Sequence, residues 1–278
     1  MHRTLRPVHL RKLEVMYLSV ILFLVVSFLA STIGAICGIG GGVIIKPVLD
    51  MLHLETVSTI NFLSGCTVLS MSLYSVGKSL RSGEKSVDVS TGTPLAIGAA
   101  IGGILGKQLF STIRTIFADS PMVGGVQAAC LGVITLGTLV YTINKQRIPT
   151  KNVRTPLACV LIGLILGVMS SFLGIGGGPI NLVVLFYFFS METKIAAANS
   201  LYIILFSQIA SLMTTFVSGS VPPFKASALI LMVLGGIGGG IVGRKLNKKL
   251  NNAAVDKLFI GLMIVIVGIC VYNTWKAF

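Results

Sequence analysis

Charged side chains are scarce in this sequence, and acidic ones are the scarcest. Only 11% of the 278 residues are charged, and Asp and Glu together number 8. Because soluble domains have roughly 25% charged residues, this composition excludes an ordinary soluble protein. Hydrophobic residues make up 54% of the chain, and its mean hydropathy is +0.93. We therefore predict an all-α integral membrane protein, since a spanning segment in lipid must satisfy its backbone hydrogen bonds internally.

Sequence signatures of catalysis, cofactor binding and metal binding are also missing. The chain has no HExxH, GxSxG or P-loop motif, and the GIGGGV that begins at Gly38 fails the GxGxxG pattern at its last position. The five cysteines form no CxxC pair, and two of the three histidines precede the first apolar run. We therefore expect neither an enzyme nor a cofactor, and we interpret the cysteines as small packing residues.

The net charge of +14 does not by itself indicate a nucleic-acid partner. Lys and Arg lie mainly at the ends of apolar runs and in short loops, where they orient a membrane protein and contact lipid headgroups. A signal peptide is the alternative interpretation of the basic segment 1–16 and the apolar run after it. We favour its retention, because the apolar run that follows has a counterpart later in the chain. A multi-pass protein of the plasma membrane is the expected result.

Eight apolar runs are long enough to cross a bilayer. The loops between them are short, which leaves no room for a sizeable soluble domain. We place the eight spans at residues 17–36, 60–77, 92–110, 122–143, 156–173, 195–217, 226–243 and 258–275.

The chain contains an internal duplication. GIGGGVIIKPVLDML at 38–52 returns as GIGGGPINLVVLFYF at 174–188, which is 136 residues later. GGILGKQL from Gly102 returns as GGIVGRKL from Gly239. Three pairs of single residues also match: Glu55 with Glu192, Asn61 with Asn199, and Lys107 with Arg244. The chain is accordingly divided into a basic segment 1–16, a first repeat 17–143, a cytoplasmic linker 144–155 and a second repeat 156–278.

The glycine motif interrupts each repeat. Residues 17–52 are nearly twice as long as one crossing requires, and residues 156–190 repeat the pattern. We expect each repeat to have four full spans and a short half-helix after the GIGGG break, with Pro179 in the first turn of the second half-helix.

The topology depends on whether the half-helices cross the membrane. If they cross, each repeat has five crossings and the repeats are inverted; otherwise each has four and the repeats are parallel. The two topologies divide the Lys and Arg residues between the sides of the membrane in the same proportion, so the positive-inside rule does not choose between them. Both topologies place the loops 78–88 and 144–155 in the cytoplasm. We favour the inverted arrangement, because paired Gly/Pro-interrupted segments are common in secondary transporters.

The two breaks are the candidate binding site. A helix that begins inside the membrane presents free N–H groups and the positive end of its dipole, which attract an anion, and glycine lets an oxyanion approach the backbone. Close helix packing is the alternative role, and it is the one we favour for GGILGKQL and GGIVGRKL. The candidate substrate-binding residues are Gly40, Gly41, Gly42, Lys46, Asn61, Ser64, Gly176, Gly177, Gly178, Asn199 and Ser200.

Lys46 and a few acids carry the charge near the breaks. Lys46 lies four positions before Asp50, so the two can pair on one helix face. Lys46 either adds positive charge to an anion site or snorkels from the end of a half-helix. The candidates for coupling to a proton or sodium gradient are Asp50, Glu55 and Glu192.

The duplicated GIGGG break, the proline near it, the Asn-containing span that follows and the GGxxG(K/R) ending of the next span resemble the TauE/SafE sulfite exporter family. This family is also called the toluene sulfonate uptake permeases. The resemblance covers nearly the whole chain. It departs in two places: Pro47 lies within the first half-helix whereas Pro179 begins the second, and the basic N-terminus is particular to this sequence. The resemblance implies a plasma-membrane permease for small sulfur-containing anions such as sulfite, sulfoacetate or other organosulfonates.

We therefore expect a secondary transporter that moves a small anion by alternating access of two repeats about a central site. An anion channel and a non-transporting membrane scaffold subunit are the competing classes. Whether the chain works alone or as a homodimer is left open at this point.

Overall fold

The computed structural model describes residues 8–52, 54–82, 87–116, 121–175 and 177–277, with side chains from residue 21 onward except that of Pro121. Seven of the helices in this part of the chain are long and apolar enough to cross a membrane. The prediction of an all-helical membrane protein is confirmed. The helices are α1 (Val8–Cys37), α2 (Gly42–Leu52), α3 (Val57–Arg81), α4 (Val89–Ile116), α5 (Pro121–Asn144), α6 (Pro156–Leu173), α7 (Pro179–Phe189), α8 (Thr193–Val217), α9 (Ala226–Lys249) and α10 (Asn252–Ala277).

A short helix follows each glycine motif. Both α2 and α7 have 11 residues, about half of what a crossing requires. Pro179 lies in the first turn of α7, where its missing N–H costs nothing. Pro47 instead lies inside α2, and the side-chain amide of Asn273 on α10 donates a hydrogen bond of 3.0 Å to the Pro47 carbonyl.

Glycine rows bring two pairs of helices into close, parallel contact. A Cβ added to successive glycines of α9 would overlap successive turns of α1, and glycines of α4 meet α6 in the same way. The glycines of GGILGKQL and GGIVGRKL therefore pack helices, as favoured from the sequence. The contacts are Gly235 with Ser27, Gly239 with Phe28, Gly243 with Thr32, Gly98 with Val160, Gly102 with Leu164, and Gly106 with Val168.

The bundle has two ends, which we call the first and the second end. At the first end α3 and α9 begin: the Thr59 hydroxyl donates to the Pro223 carbonyl at 3.0 Å, and Lys225 lies 3.7 Å from Glu55. At the second end, the start of α8 lies beside the end of α9: Lys194 Nζ donates a hydrogen bond of 2.9 Å to the Leu250 carbonyl. The described residues of the two loops predicted to be cytoplasmic lie at the second end, because residue 82 contacts α9 there and linker residue 151 pairs with the end of α7.

The two interrupted segments enter the bundle from opposite ends. Helix α6 begins at the second end and α7 returns to it, where the Ser190 hydroxyl donates to Thr150 at 2.7 Å. Helix α1 runs parallel to α9, which starts at the first end, and α2 leads back to the start of α3 at that end. This is the direction that inverted repeats require, and the crossing number of each repeat stays a prediction.

Candidate functional site

The two glycine breaks lie back to back in the core. A Cβ on Gly42 would overlap the carbonyl oxygen of Ile175 in the other break. Gly38 and Gly174 occupy matching places in the two breaks, with φ of 75° and 66°, in the left-handed region that favours glycine. A Cβ on Gly38 would overlap Ala197, and one on Gly174 would overlap the Asn61 amide. The first break is thus packed against α8 and the second against α3, which in each case is the long helix after the other half-helix.

These contacts give the predicted glycines a structural role. Gly40, Gly41 and Gly42 are all buried in the first break, and Gly177 and Gly178 are buried in the second. Gly176 lies outside the described residues. The contacts account for the absence of side chains whether or not a ligand approaches, so binding by these glycines stays a prediction.

Buried hydroxyls face the start of α2. The Oγ atoms of Ser31 and Ser64 lie 2.9 and 3.0 Å from the positions that a Cβ would take on Gly41 and Gly42. Both serines are 0% exposed, and neither Oγ has a hydrogen-bond partner among the described residues. A buried polar group without a partner costs about 1–3 kcal/mol. Two such donors beside a helix N-terminus favour a polar ligand or solvent at this place.

Further unpaired polar groups surround the two breaks. Both amide atoms of Asn61 lack a partner among the described residues, and that side chain is 8% exposed. Ser200, another predicted site residue, is 0% exposed with its hydroxyl unpaired. Such a concentration is unusual in a native core, where most buried polar atoms are paired. The other members of this group are Ser170, Ser171, Asn181 and Ser207.

Asn199 has hydrogen-bond partners that its sequence match, Asn61, lacks among the described residues. Its Oδ1 accepts the backbone N–H of Asp88 at 3.0 Å, and its Nδ2 donates to the Ile195 carbonyl at 2.9 Å. Asp88 in turn accepts the hydroxyls of Ser90 at 2.7 Å and Thr91 at 2.8 Å, which hold the pKa of its carboxyl below the usual range. Asn199 therefore joins α8 to the start of α4, and its role in binding stays a prediction.

Lys46 forms the predicted pair with Asp50. Lys46 Nζ lies 2.7 Å from Asp50 Oδ2, and the two side chains are 3% and 14% exposed. The neighbouring Pro47 receives the hydrogen bond from Asn273, so this part of α2 is tied to α10. The structure thus pairs Lys46 within α2.

We expect Lys46→Met to destabilise the protein by about 1–2 kcal/mol, because it leaves Asp50 without its cation. The cost should be below that of a fully buried pair, since Asp50 retains some access to solvent. Thermal unfolding in detergent measures it. The double variant Lys46→Met, Asp50→Leu should recover most of the loss, and a double variant no more stable than the single one would contradict this account.

The other two coupling candidates lie at opposite ends of the bundle. Glu55 is at the first end beside Lys225, at 3.7 Å. Glu192 is at the second end, where it accepts the Asn252 amide at 3.2 Å. An ion pair lies in the same pocket as Glu192, where Lys145 Nζ is 2.6 Å from Asp256 Oδ2. Asp50 and Glu55 line one small pocket together with Lys276, whereas Glu192 lies at the opposite end of the bundle. The role of the three acids in coupling stays a prediction.

A basic cavity opens at the second end. Its volume is about 260 Å³, and it is lined by three cationic side chains, Lys194, Arg244 and Lys248, with Ser75, Ser79 and Asn247 among them. The described residues that line it include no Asp or Glu. Two of its other lining residues, Ala35 and Ala197, bring it to the first break, because Gly38 packs directly on Ala197. Such a site attracts anions and leads toward the start of α2.

Arg244 has a fixed position in this cavity. Its Nη1 donates to the Ser75 carbonyl at 3.1 Å, and its Nη2 donates to the Ser82 hydroxyl at 3.3 Å. These bonds hold the guanidinium between α3 and α9, at the wall of the cavity. Sequence reasoning missed the cations of the cavity as site residues. The match of Arg244 with Lys107 in the duplication was the signal that could have found one of them.

Comparison with known proteins indicates a membrane transporter. The chain matches the family model described as "Sulfite exporter TauE/SafE" over residues 23–269. It is 23% identical over 269 residues to the "Probable membrane transporter protein YunE" of Bacillus subtilis, covering 90% of this chain and 96% of that relative. It is 30% identical over 179 residues to a "Probable membrane transporter protein" of Haemophilus influenzae, covering 59% of this chain and 61% of that relative. No solved structure matches significantly.

Proposed function

The chain belongs to the TauE/SafE sulfite exporter family and is a membrane transporter, and we propose that it carries small sulfur-containing anions by alternating access in the plasma membrane. Sulfite, sulfoacetate and other organosulfonates are the proposed substrates. The observation that carries the proposal is the basic cavity. It is lined by three cationic side chains, and its floor, at Ala197, lies against Gly38 of the first glycine break. We expect transport without covalent chemistry.

The substrate would meet two kinds of donor in succession. Lys194, Arg244 and Lys248 concentrate anions in the cavity through their field. Beyond the cavity floor, the first N–H groups of α2 and the hydroxyls of Ser31 and Ser64 are neutral donors in a buried place. Neutral donors can hold a partly dehydrated anion without binding it as tightly as a buried cation would, which suits a carrier that must release its substrate.

The packing of the breaks favours a carrier over a channel. A channel needs a continuous path, whereas here Gly42 lies directly against Ile175 and closes the centre. The entry of the two interrupted segments from opposite ends supports alternating access, since each can then expose one side of a shared centre. The unpaired hydroxyls and the basic cavity argue against a scaffold subunit, which would need neither.

A ligand panel tests this function. The purified protein is heated with sulfite, sulfate, thiosulfate, sulfoacetate, taurine, acetate or chloride at matched ionic strength. A ligand of the folded state at 100 times its Kd should stabilise the protein by about 2.7 kcal/mol. We expect a saturable rise in Tm with at least one sulfur anion and none with chloride or acetate. Equal shifts with all anions would indicate general charge screening and contradict the proposal.

A further inference from the structure

A second, smaller polar pocket lies toward the first end. It has a volume of about 20 Å³ and contains one cationic side chain, Lys107. Lys107 is half-buried, and its Nζ lies 5.6 Å from the centre of the Phe110 ring. The polar residues around it are Asn61, Ser171, Gln208, Ser211 and Thr215. No Asp or Glu is found among the described residues that line this pocket, which we call the Lys107 pocket.

The Lys107 pocket and the basic cavity occupy matching places in the two halves of the chain. Lys107 matches Arg244 in the duplication, in GGILGKQL and GGIVGRKL. The packing matches as well: Ala197 of the basic cavity covers Gly38 of the first break, and Asn61 of the Lys107 pocket covers Gly174 of the second. Each pocket therefore joins one break to one end of the bundle.

The Lys107 pocket has the donors of an anion site. Asn61 is 8% exposed with both amide atoms unpaired among the described residues, and Ser171 is 6% exposed with its hydroxyl unpaired. The Ser171 and Ser207 hydroxyls both lie within 3.4 Å of the position that a Cβ would take on Gly103. A cation, an amide and hydroxyls without a nearby carboxylate favour an anionic ligand.

The Lys107 pocket is much smaller than the basic cavity. A volume of about 20 Å³ holds little more than one water molecule, whereas the basic cavity has about 260 Å³. Of these two pockets, only the basic cavity can therefore hold an oxyanion of sulfur in this conformation. In the proposed transport cycle, this conformation is therefore the one that is open to the second end and closed at the first.

We propose that the Lys107 pocket is a second anion-binding site, which widens toward the first end when the basic cavity closes. The proposal rests on the carrier function proposed above. Lys107 and Asn61 hold the anion there, as Arg244 does at the second end. The anion is thus bound near Arg244 on one side of the breaks and near Lys107 on the other, and it moves between these two sites in each transport cycle.

Exchange of radiolabelled sulfite across proteoliposomes tests this proposal. Lys107→Gln should lower exchange by about tenfold or more, since a charge-assisted hydrogen bond to the anion is lost. It should leave the sulfite-induced rise in Tm nearly unchanged, because binding to the basic cavity does not involve Lys107. Lys107→Arg should retain most of the exchange. Lys257→Gln, which removes an exposed cation of α10 that lines neither of the two pockets, is the matched control.

A second variant keeps the test independent of folding. Asn61→Leu removes two amide atoms that have no partner among the described residues, so the stability of the protein should hold or rise. Exchange should nevertheless fall, because the anion loses a donor. Loss of exchange together with lost stability would assign Asn61 a structural role and contradict the binding role.

The failures of the two proposals can be told apart. If Lys107→Gln and Asn61→Leu exchange sulfite at the parent rate while Arg244→Gln has lost the sulfite-induced rise in Tm, the second site is refuted and the carrier function stands. If the parent protein shows neither the rise in Tm nor exchange with sulfite, the carrier function for this anion fails, and the second site fails with it.

Discussion

Arg244→Gln is expected to weaken sulfite binding by about 30-fold, which corresponds to about 2 kcal/mol. Arg244 is the cation of the basic cavity whose head group is held by two hydrogen bonds, to Ser75 and Ser82, so its charge is fixed in place before a ligand arrives. A fixed donor loses little entropy when it binds, and the guanidinium can bind an oxyanion through two N–H groups. Titration of Tm against sulfite concentration measures the change in affinity.

Two further variants define what Arg244 contributes. Lys245→Gln removes the next cation along α9, which is exposed, and should leave the affinity close to that of the parent. Arg244→Lys keeps the charge but loses the paired N–H groups, so an intermediate affinity is expected. An affinity for Arg244→Gln equal to that for Lys245→Gln would mean that the cavity attracts anions only through its overall charge.

The main features of the fold could be predicted from the sequence because they depend on composition and length. Residues 17–52 are too apolar for a loop and too long for one span, which required the short helix α2. The Lys46–Asp50 pair followed from their spacing of four, which places both on one helix face. Pro179 at the start of α7 followed from the one place where a helix tolerates proline without loss.

The site was harder to predict, because it depends on which helices meet. Lys194 and Lys248 come from α8 and α9, and a cation near a helix end has an ordinary explanation in membrane orientation. These cations line a cavity only because their helices pack around Ala35 and Ala197. Asn61 and Asn199 match in sequence but differ in surroundings, since only Asn199 finds a partner at the start of α4. Sequence similarity between repeats does not reveal such a difference.

Among the variants proposed here, Gly42→Ala is expected to lower the free energy of unfolding most, by about 3 kcal/mol or more. The new Cβ would overlap the carbonyl oxygen of Ile175, and both are backbone positions in the core that no change of rotamer can relieve. The two breaks would have to separate, which also changes the start of α2 where Ser31 and Ser64 converge. A lower Tm in detergent and a loss of sulfite exchange should therefore appear together.

Gly77→Ala is the matched control, because nothing lies within 4 Å of the Cβ that it would add to α3. Alanine has the higher helix propensity, so this variant should be as stable as the parent or more stable by up to about 1 kcal/mol. The contrast separates a contact between the breaks from a general effect of replacing glycine. If Gly42→Ala unfolds at the Tm of Gly77→Ala, the breaks do not touch at Ile175, and the argument that their contact closes the centre against a continuous channel is lost.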